Sequence, residues 1–269
     1  MLTLGRGVDP AALLSAAVPS RAVTALSLEH ALRSDVGRRA NNEDAVFASA
    51  RLAAVADGVG GAAAGEVASQ AIIDALVRLD KTRLEGPLDE ALAEAVVWGN
   101  EVISLIVECR PHMAGMSTTL TAIALGEDGT YVSANIGDSR TYLFRDGTLR
   151  LLTRDDSFVQ LLIDGGQLTI DEAREHPQRS LVLEALDGSP ARQPVLQHTA
   201  ARVSDRLLLC SDGISDVLDD DAITAALQHK RLHACADQLV DMALATGGRD
   251  NVSVVVADVV PRRDPEAGW

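Results

Sequence analysis

The chain has 269 residues, 47% of them hydrophobic, and carries 39 Asp and Glu against 24 Lys and Arg, a formal net charge of −15. That length supports one large domain with a substantial core, and the composition is that of a globular protein rather than a disordered one. The acidic balance argues against a nucleic-acid partner, which requires a basic footprint.

Residues 1–22 read as an appendage. The apolar run from Ala11 to Val18 superficially suggests a signal-peptide core, but it is short, Asp9 and Pro10 precede it, and Arg6 is the only basic residue ahead of it. A short helix capped by Asp9 with Pro10 at its first position is the expectation. No run approaches the ~20 apolar residues of a spanning helix, so no membrane partner is expected. Three widely spaced cysteines, Cys109, Cys210 and Cys235, point to a reducing cytoplasm rather than a disulfide framework.

A single domain is expected over 23–260, with a polar tail at 261–269. Strand content starts near Val23–Leu28, and Leu52–Val55 forms a further apolar run. Ala64, Val67, Ala68, Ala71, Ile72, Ala75, Leu76 and Leu79 follow the i, i+3, i+4 pattern of an amphipathic helix. Leu88, Ala91, Leu92, Ala95, Val96, Val102, Ile103 and Ile106 define a second. Strands are predicted at 119–125, 131–135, 141–145 and 149–152, joined by the Glu127-Asp128-Gly129 and Asp146-Gly147 turns. From about 153 to 193 the pattern turns helical and broken, interrupted by Gly165-Gly166 and Pro177, with a capping box at Thr169-Ile170-Asp171-Glu172. Strands resume at 195–200 and 206–209, helices follow at 221–228 and 232–245, and a last strand covers 252–259.

Acids cluster at the ends of these strands. Asp57-Gly58 follows Leu52–Val55, Asp212 follows Arg206–Leu209, Asp250 precedes Val252–Val256, and Glu43-Asp44 opens another strand. Oxygen ligands at rigid strand ends suit a hard divalent cation such as magnesium or manganese. Singly, each of these acids is an ordinary turn residue; as a converging set they point to a metal-dependent phosphoester hydrolase.

Six segments occur in one order: Ser34–Asp44, Asp57–Gly61, Gly115–Thr119, Asn135–Arg140, Ser211–Asp216 and Asp250–Ser253. Together they resemble the type 2C, metal-dependent protein serine/threonine phosphatases in their bacterial form, from about residue 30 to 260. The resemblance implies an α+β fold, a four-layer α-β-β-α sandwich of two antiparallel sheets flanked by helices, with 153–193 as a flap beside the active site. Periodicity alone supports only a mixed α and β chain.

Carried over residue by residue, the resemblance has Asp57 bridging two Mn2+ or Mg2+ ions, with the Gly58 carbonyl helping to hold one. Asp212 and Asp250 complete the first ion's shell, and Glu43 holds the second through water. The four carboxylates and two divalent ions balance in charge. A water activated between the ions would be the nucleophile. Arg39 is the candidate phosphate-binding fork, with Arg38 as the alternative if the motif is offset by one, and Asp44 is the acceptor that orients the water. Asp138 and Asp216 match positions that hold a third ion in some relatives; a turn-capping Asp138 and a solvated Asp216 are the competing account. Animal relatives carry a histidine where this chain has Val59, which excludes a general acid from that turn. Asp155-Asp156-Ser157 stands where Asp-His-Ser is frequent, and His176 reads as structural.

Other chemistries fit poorly. Gly60–Gly65 lacks the lysine of a P-loop, and Asp219-Asp220-Asp221 follows no apolar strand and reads as a helix cap. No cysteine has an arginine six residues on, and no Gly-x-Ser-x-Gly elbow is present. The expectation is thus a cytoplasmic enzyme acting on phosphorylated proteins opposite a serine/threonine kinase. The alternatives are a catalytically silent phosphatase-like module that binds a phosphorylated partner or kinase, and an enzyme for a small phosphoester.

Overall fold

The structure, a computed structural model, describes residues 25–59, 64–82, 86–190 and 192–262. Among the described residues, eleven strands form two antiparallel sheets. In chain order the strands are β1 (Leu26–Asp35), β2 (Asp44–Ala48), β3 (Leu52–Val59), β4 (Ser117–Thr118), β5 (Leu120–Leu125) and β6 (Thr130–Ile136). They continue as β7 (Arg140–Arg145), β8 (Thr148–Leu151), β9 (Val195–Ala200), β10 (Arg206–Cys210) and β11 (Val252–Pro261). One sheet runs β1-β11-β10-β7-β8; the other runs β2-β3-β5-β6-β9, with β4 paired to β3. The helices are α1 (Gly65–Lys81), α2 (Leu88–Cys109), α3 (Phe158–Asp164), α4 (Ile170–Glu175), α5 (Asp212–Ser215), α6 (Asp220–Leu227) and α7 (Leu232–Ala245).

The layering follows from period-two alternation in strands that are apolar on both faces. Leu52, Ala54 and Ala56 of β3 pack with Ile72 and Leu76 of α1 and with Leu92 and Val96 of α2. Their neighbours Ala53 and Val55 face the opposite way and meet Leu207, Leu209 and Val255 of the other sheet. In β11, Val252, Val254 and Val256 pack with Cys235, Leu239 and Val240 of α7, while Val255, Ala257 and Val259 join the layer between the sheets. Helices, sheet, sheet and helices therefore stack as the expected four-layer sandwich.

Most element boundaries fall within two residues of the sequence expectation. The Thr169–Glu172 capping box forms, and Asp219 caps α6 by accepting from the Ala222 amide at 2.8 Å. β11 runs beyond Val259 to Pro261 because pairing with β1 continues through Leu26 opposite Pro261, so the polar tail starts later than hydropathy indicates. The proposed appendage at 1–22, Gly60 to Ala63 and most of the tail lie outside the described residues. Among the described residues no helix is long and apolar enough to cross a membrane.

Candidate metal centre and active site

The sandwich opens at one edge, where the ends of β2 and β3 face the start of α5 and the approach to β11. There a cleft of about 380 Å³ is lined by Arg39, Glu43, Asp57, Gly58, Asp138, Asp212, Asp250 and Asn251. The five positions expected to hold the two ions are brought together, although Glu43 and Asp250 lie 207 positions apart in sequence. Arg39 reaches this cleft, whereas Arg38 is not among its lining residues. Asp44 stands opposite Asp57 in the β2–β3 register. Asp138 also lines an adjoining cleft, which Asp216 shares.

Local chemistry explains the convergence. Asn251 clamps the segment that carries Arg39 and Glu43: its Nδ2 donates to the carbonyls of Val36 (3.0 Å) and Asn41 (2.9 Å), and its Oδ1 accepts from the Glu43 amide (2.8 Å). Gly37, at φ +59°, lies so close to the Asp250 carbonyl that a Cβ would meet it at 2.1 Å. Gly58 and Gly65 cross with equal intimacy, which brings the start of α1 against β3; a Cβ on Gly58 would sit 2.4 Å from the Gly65 backbone. The Ser69 hydroxyl then donates to the Glu43 carbonyl at 2.6 Å. Between the sheets, the Thr119 and Ser139 hydroxyls bond at 2.7 Å, and Thr119 Oγ1 also accepts from the Asp57 amide at 3.2 Å.

Asn251 was part of a recognised motif, but its clamping role has no local signature, because its partners lie more than 200 residues away. Asn251→Ala removes three hydrogen bonds and leaves two carbonyls and an amide without their partner. It should lower the melting temperature, at a cost on the order of 1–3 kcal/mol, and reduce catalytic turnover. Thermal unfolding monitored by circular dichroism checks the first effect, and phosphate release the second.

The carboxylates strain against their surroundings. Asp57 keeps a little solvent contact through the cleft mouth, but burial pushes its pKa well above the ordinary carboxylate value, and Asp44, Asp212, Asp138 and Asp250 add repulsion. Asp212 is raised in the same way, first by burial and then by Asp138 and Asp216. Burial lifts Asp44 to about 6 and Asp138 to about 7, and raises Glu43 and Asp216. Arg39 relieves one corner: its Nη2 donates to Asp250 Oδ2 at 2.7 Å, and that bond raises the guanidinium pKa.

Two oxygens decide whether a cation fits here. Asp44 Oδ2 accepts from Ser211 Oγ at 3.0 Å, yet Asp44 Oδ1 and Asp212 Oδ1 are buried with no hydrogen-bond partner. Unpaired buried carboxylate oxygens are costly; a divalent ion suits Asp212 Oδ1, and a water held by such an ion suits Asp44 Oδ1. The donor set fits, although among the described residues no three Asp, Glu, His or Cys side chains form a ready-made metal cage. The Arg39–Asp250 pair holds one of the acids toward the guanidinium.

The protein phosphatase 2C family profile matches residues 33–246. The chain belongs to the protein phosphatase 2C family. It is 52% identical over 236 residues to the serine/threonine protein phosphatase PstP of Mycobacterium tuberculosis, covering 87% of this chain and 46% of that protein. The chain therefore spans about half the length of that relative. The serine/threonine phosphatase Stp of Listeria monocytogenes is 33% identical over 237 residues, covering 84% of this chain and 94% of the relative. The crystal structure of the PstP catalytic domain in complex with two manganese ions superposes with a TM-score of 0.82 at 50% identity, covering 87% of this chain and 99% of that one.

Asp156, at the flap position where the resemblance led to the expectation of a histidine, has a structural task. Its Oδ2 accepts from the Gly137 amide at 3.1 Å and its own amide donates to the Gly137 carbonyl at 2.8 Å, which latches the flap to the loop before Asp138. Asp155 takes a bidentate bond from Arg140, as close as 2.6 Å, and Ser157 caps α3. His176 closes α4 and stacks obliquely near Phe158 at 6.0 Å between ring centroids, which fits its structural reading.

Proposed function

We propose that this chain is a manganese- or magnesium-dependent phosphoprotein phosphatase that hydrolyses phosphoserine and phosphothreonine in the cytoplasm, opposite a serine/threonine kinase. The observation that carries the reading is one cleft containing Glu43, Asp57, Asp212 and Asp250 beside Arg39, in a chain of the phosphatase 2C family. Asp57 would contribute to both ions and the Gly58 carbonyl to one of them, Asp212 and Asp250 would complete the first, and Glu43 would hold the second through water. The two ions, when bound, supply positive charge for the phosphoryl oxygens and lower the pKa of water.

The chain's own groups supply the rest. Arg39 offers a planar, permanently charged fork to two phosphoryl oxygens, and to do so it exchanges its bond to Asp250 for one to substrate. Asp44, whose Oδ2 accepts from Ser211 and whose Oδ1 has no protein partner, would accept a hydrogen bond from the attacking water. Val59 brings no titratable group to the turn after Gly58, so the leaving oxygen's proton comes from elsewhere in the cleft. Asp138 and Asp216, close enough to raise Asp212's pKa together, are the proposed holders of a weaker third ion.

Phosphate release from a phosphoserine peptide and from a small aryl phosphate, with manganese and with chelator, tests this reading. Both substrates should turn over with manganese and neither with chelator. Turnover of the aryl phosphate alone would favour a small-phosphoester enzyme, and phosphopeptide binding without turnover would favour a silent recognition module. Thiol alkylation should leave activity intact, since Cys210 and Cys235 are buried and only Cys109 is exposed. Loss of turnover on alkylation of folded protein would contradict a water nucleophile.

A further inference from the structure

Ser211 carries a fully buried hydroxyl, and its partners are not those its position leads one to expect. It stands at the N-cap of α5, where a serine side chain ordinarily accepts from an amide of the first helical turn, yet it makes no such bond. Its Oγ instead accepts from the Ser253 amide at 3.1 Å and donates to Asp44 Oδ2 at 3.0 Å. An amide N–H can only donate, so the hydroxyl's single proton is committed to Asp44. The buried serine serves the carboxylate rather than the helix.

A second branch reaches the same aspartate from its backbone. The Asp44 amide donates to Asn42 Oδ1 at 3.2 Å, and Asn42 Nδ2 donates to Ser34 Oγ at 2.7 Å. Ser253 Oγ donates to Ser34 Oγ at 2.8 Å, across the β1–β11 register that sets the two serines opposite each other. Asp44, Ser211, Ser253, Ser34 and Asn42 thus close a ring of hydrogen bonds that ties β2 to β1, β10 and β11. None of the four partners of Asp44 in this ring lines the catalytic cleft. What the ring fixes is the plane of one carboxyl group. The terminal torsion of an aspartate has broad wells; a donor on Oδ2 selects one of them and leaves Oδ1, buried without a protein partner, as the free acceptor.

We propose that Ser211 is a positioning residue, which holds Asp44 in the orientation that leaves Oδ1 for the attacking water. The inference rests on the phosphatase reading and deepens it. Loss of a partner that orients a group at a metal centre costs on the order of 10–100-fold. The loss falls on kcat rather than KM, because Asp44 is assigned no part in binding the phosphoryl group. A competing route runs through the chain itself, since Ser211 immediately precedes Asp212. A loss by that route would appear in metal affinity.

A double-mutant cycle separates the two routes. With manganese, Ser211→Ala should lower kcat about 10-fold for a phosphoserine peptide and for a small aryl phosphate alike, with KM near the wild-type value. Calorimetric titration should give the manganese stoichiometry and affinity of wild type. In an Asp44→Asn background, Ser211→Ala should cost no further activity, because the carboxylate it serves is gone. If the alanine variant melts below the assay temperature, Ser211→Cys, a weak donor of similar shape, runs through the same cycle. It should show a smaller loss that also vanishes in the Asp44→Asn background. Wild-type kcat in the variant tested, an equal loss in both backgrounds, or manganese affinity falling in step with kcat would overturn the proposal. Failure of wild type to hydrolyse the aryl phosphate at all would instead overturn the phosphatase reading, and the role of Ser211 with it.

Discussion

Asp57→Asn is expected to lower kcat/KM for a phosphoserine peptide by more than about 100-fold, beyond the 10–100-fold expected when an outer partner of a metal ligand is lost. The reason is geometric: Asp57 lies at the centre of the converging acids, opposite Asp44 and within the fields of Asp44, Asp212, Asp138 and Asp250. One carboxylate is asked to contact both ions, and an amide offers one neutral oxygen in its place. Arg39→Ala has a different signature. It removes the proposed phosphoryl-binding fork, which is assigned no ion, so it should raise KM and leave manganese affinity largely intact. Steady-state phosphate release separates the two variants. If Arg38→Ala shows the KM effect and Arg39→Ala does not, the phosphate fork has been assigned to the wrong arginine.

The second large effect is on stability against pH. An unfolded aspartate titrates near 3.9, whereas Asp44 is pushed up to about 6 and Asp138 to about 7 by burial. Between these values the native state binds more protons than the unfolded state, so stability is greatest at low pH and falls as pH rises through about 6 to 7. Without divalent metal, the melting temperature should therefore drop between pH 5 and pH 7.5. Asp44→Asn should flatten part of that slope and stabilise the chelated protein at pH 7.5, on the order of 3 kcal/mol. Saturating manganese should reverse the trend, because a ligand that binds only the native state adds RT ln(1 + [L]/Kd), about 2.7 kcal/mol at a hundredfold excess. Scanning calorimetry across pH, with and without manganese, measures all of this. A melting temperature that rises from pH 5 to 7.5 in chelator would contradict the account of the buried acids.

The layers were legible because each strand's apolar run is long enough to show its bounds. Residues 252–256 read as one apolar stretch, and only the structure divides it into Val254 facing α7 and Val255 facing the other sheet. The ligand positions were legible because acids beside small residues recur at strand ends in a fixed order. What holds them was not. Asn251 bonds to Val36, Asn41 and Glu43, and Arg39 bonds to Asp250, across separations that no local pattern encodes. The α5 helix is only four residues long, too short for helical periodicity to register. Asp156 and Arg140 were likewise visible as residues but not as the flap latch and the half-buried fork they become.

The central claim is that the acids at this edge of the sandwich form a two-ion centre, and calorimetric titration of manganese into the chelator-stripped chain tests it most directly. The account predicts two equivalents bound per chain, with Asp57→Asn abolishing or severely weakening both and Arg39→Ala leaving both in place. No heat of binding, or a single equivalent indifferent to Asp57→Asn, would contradict it.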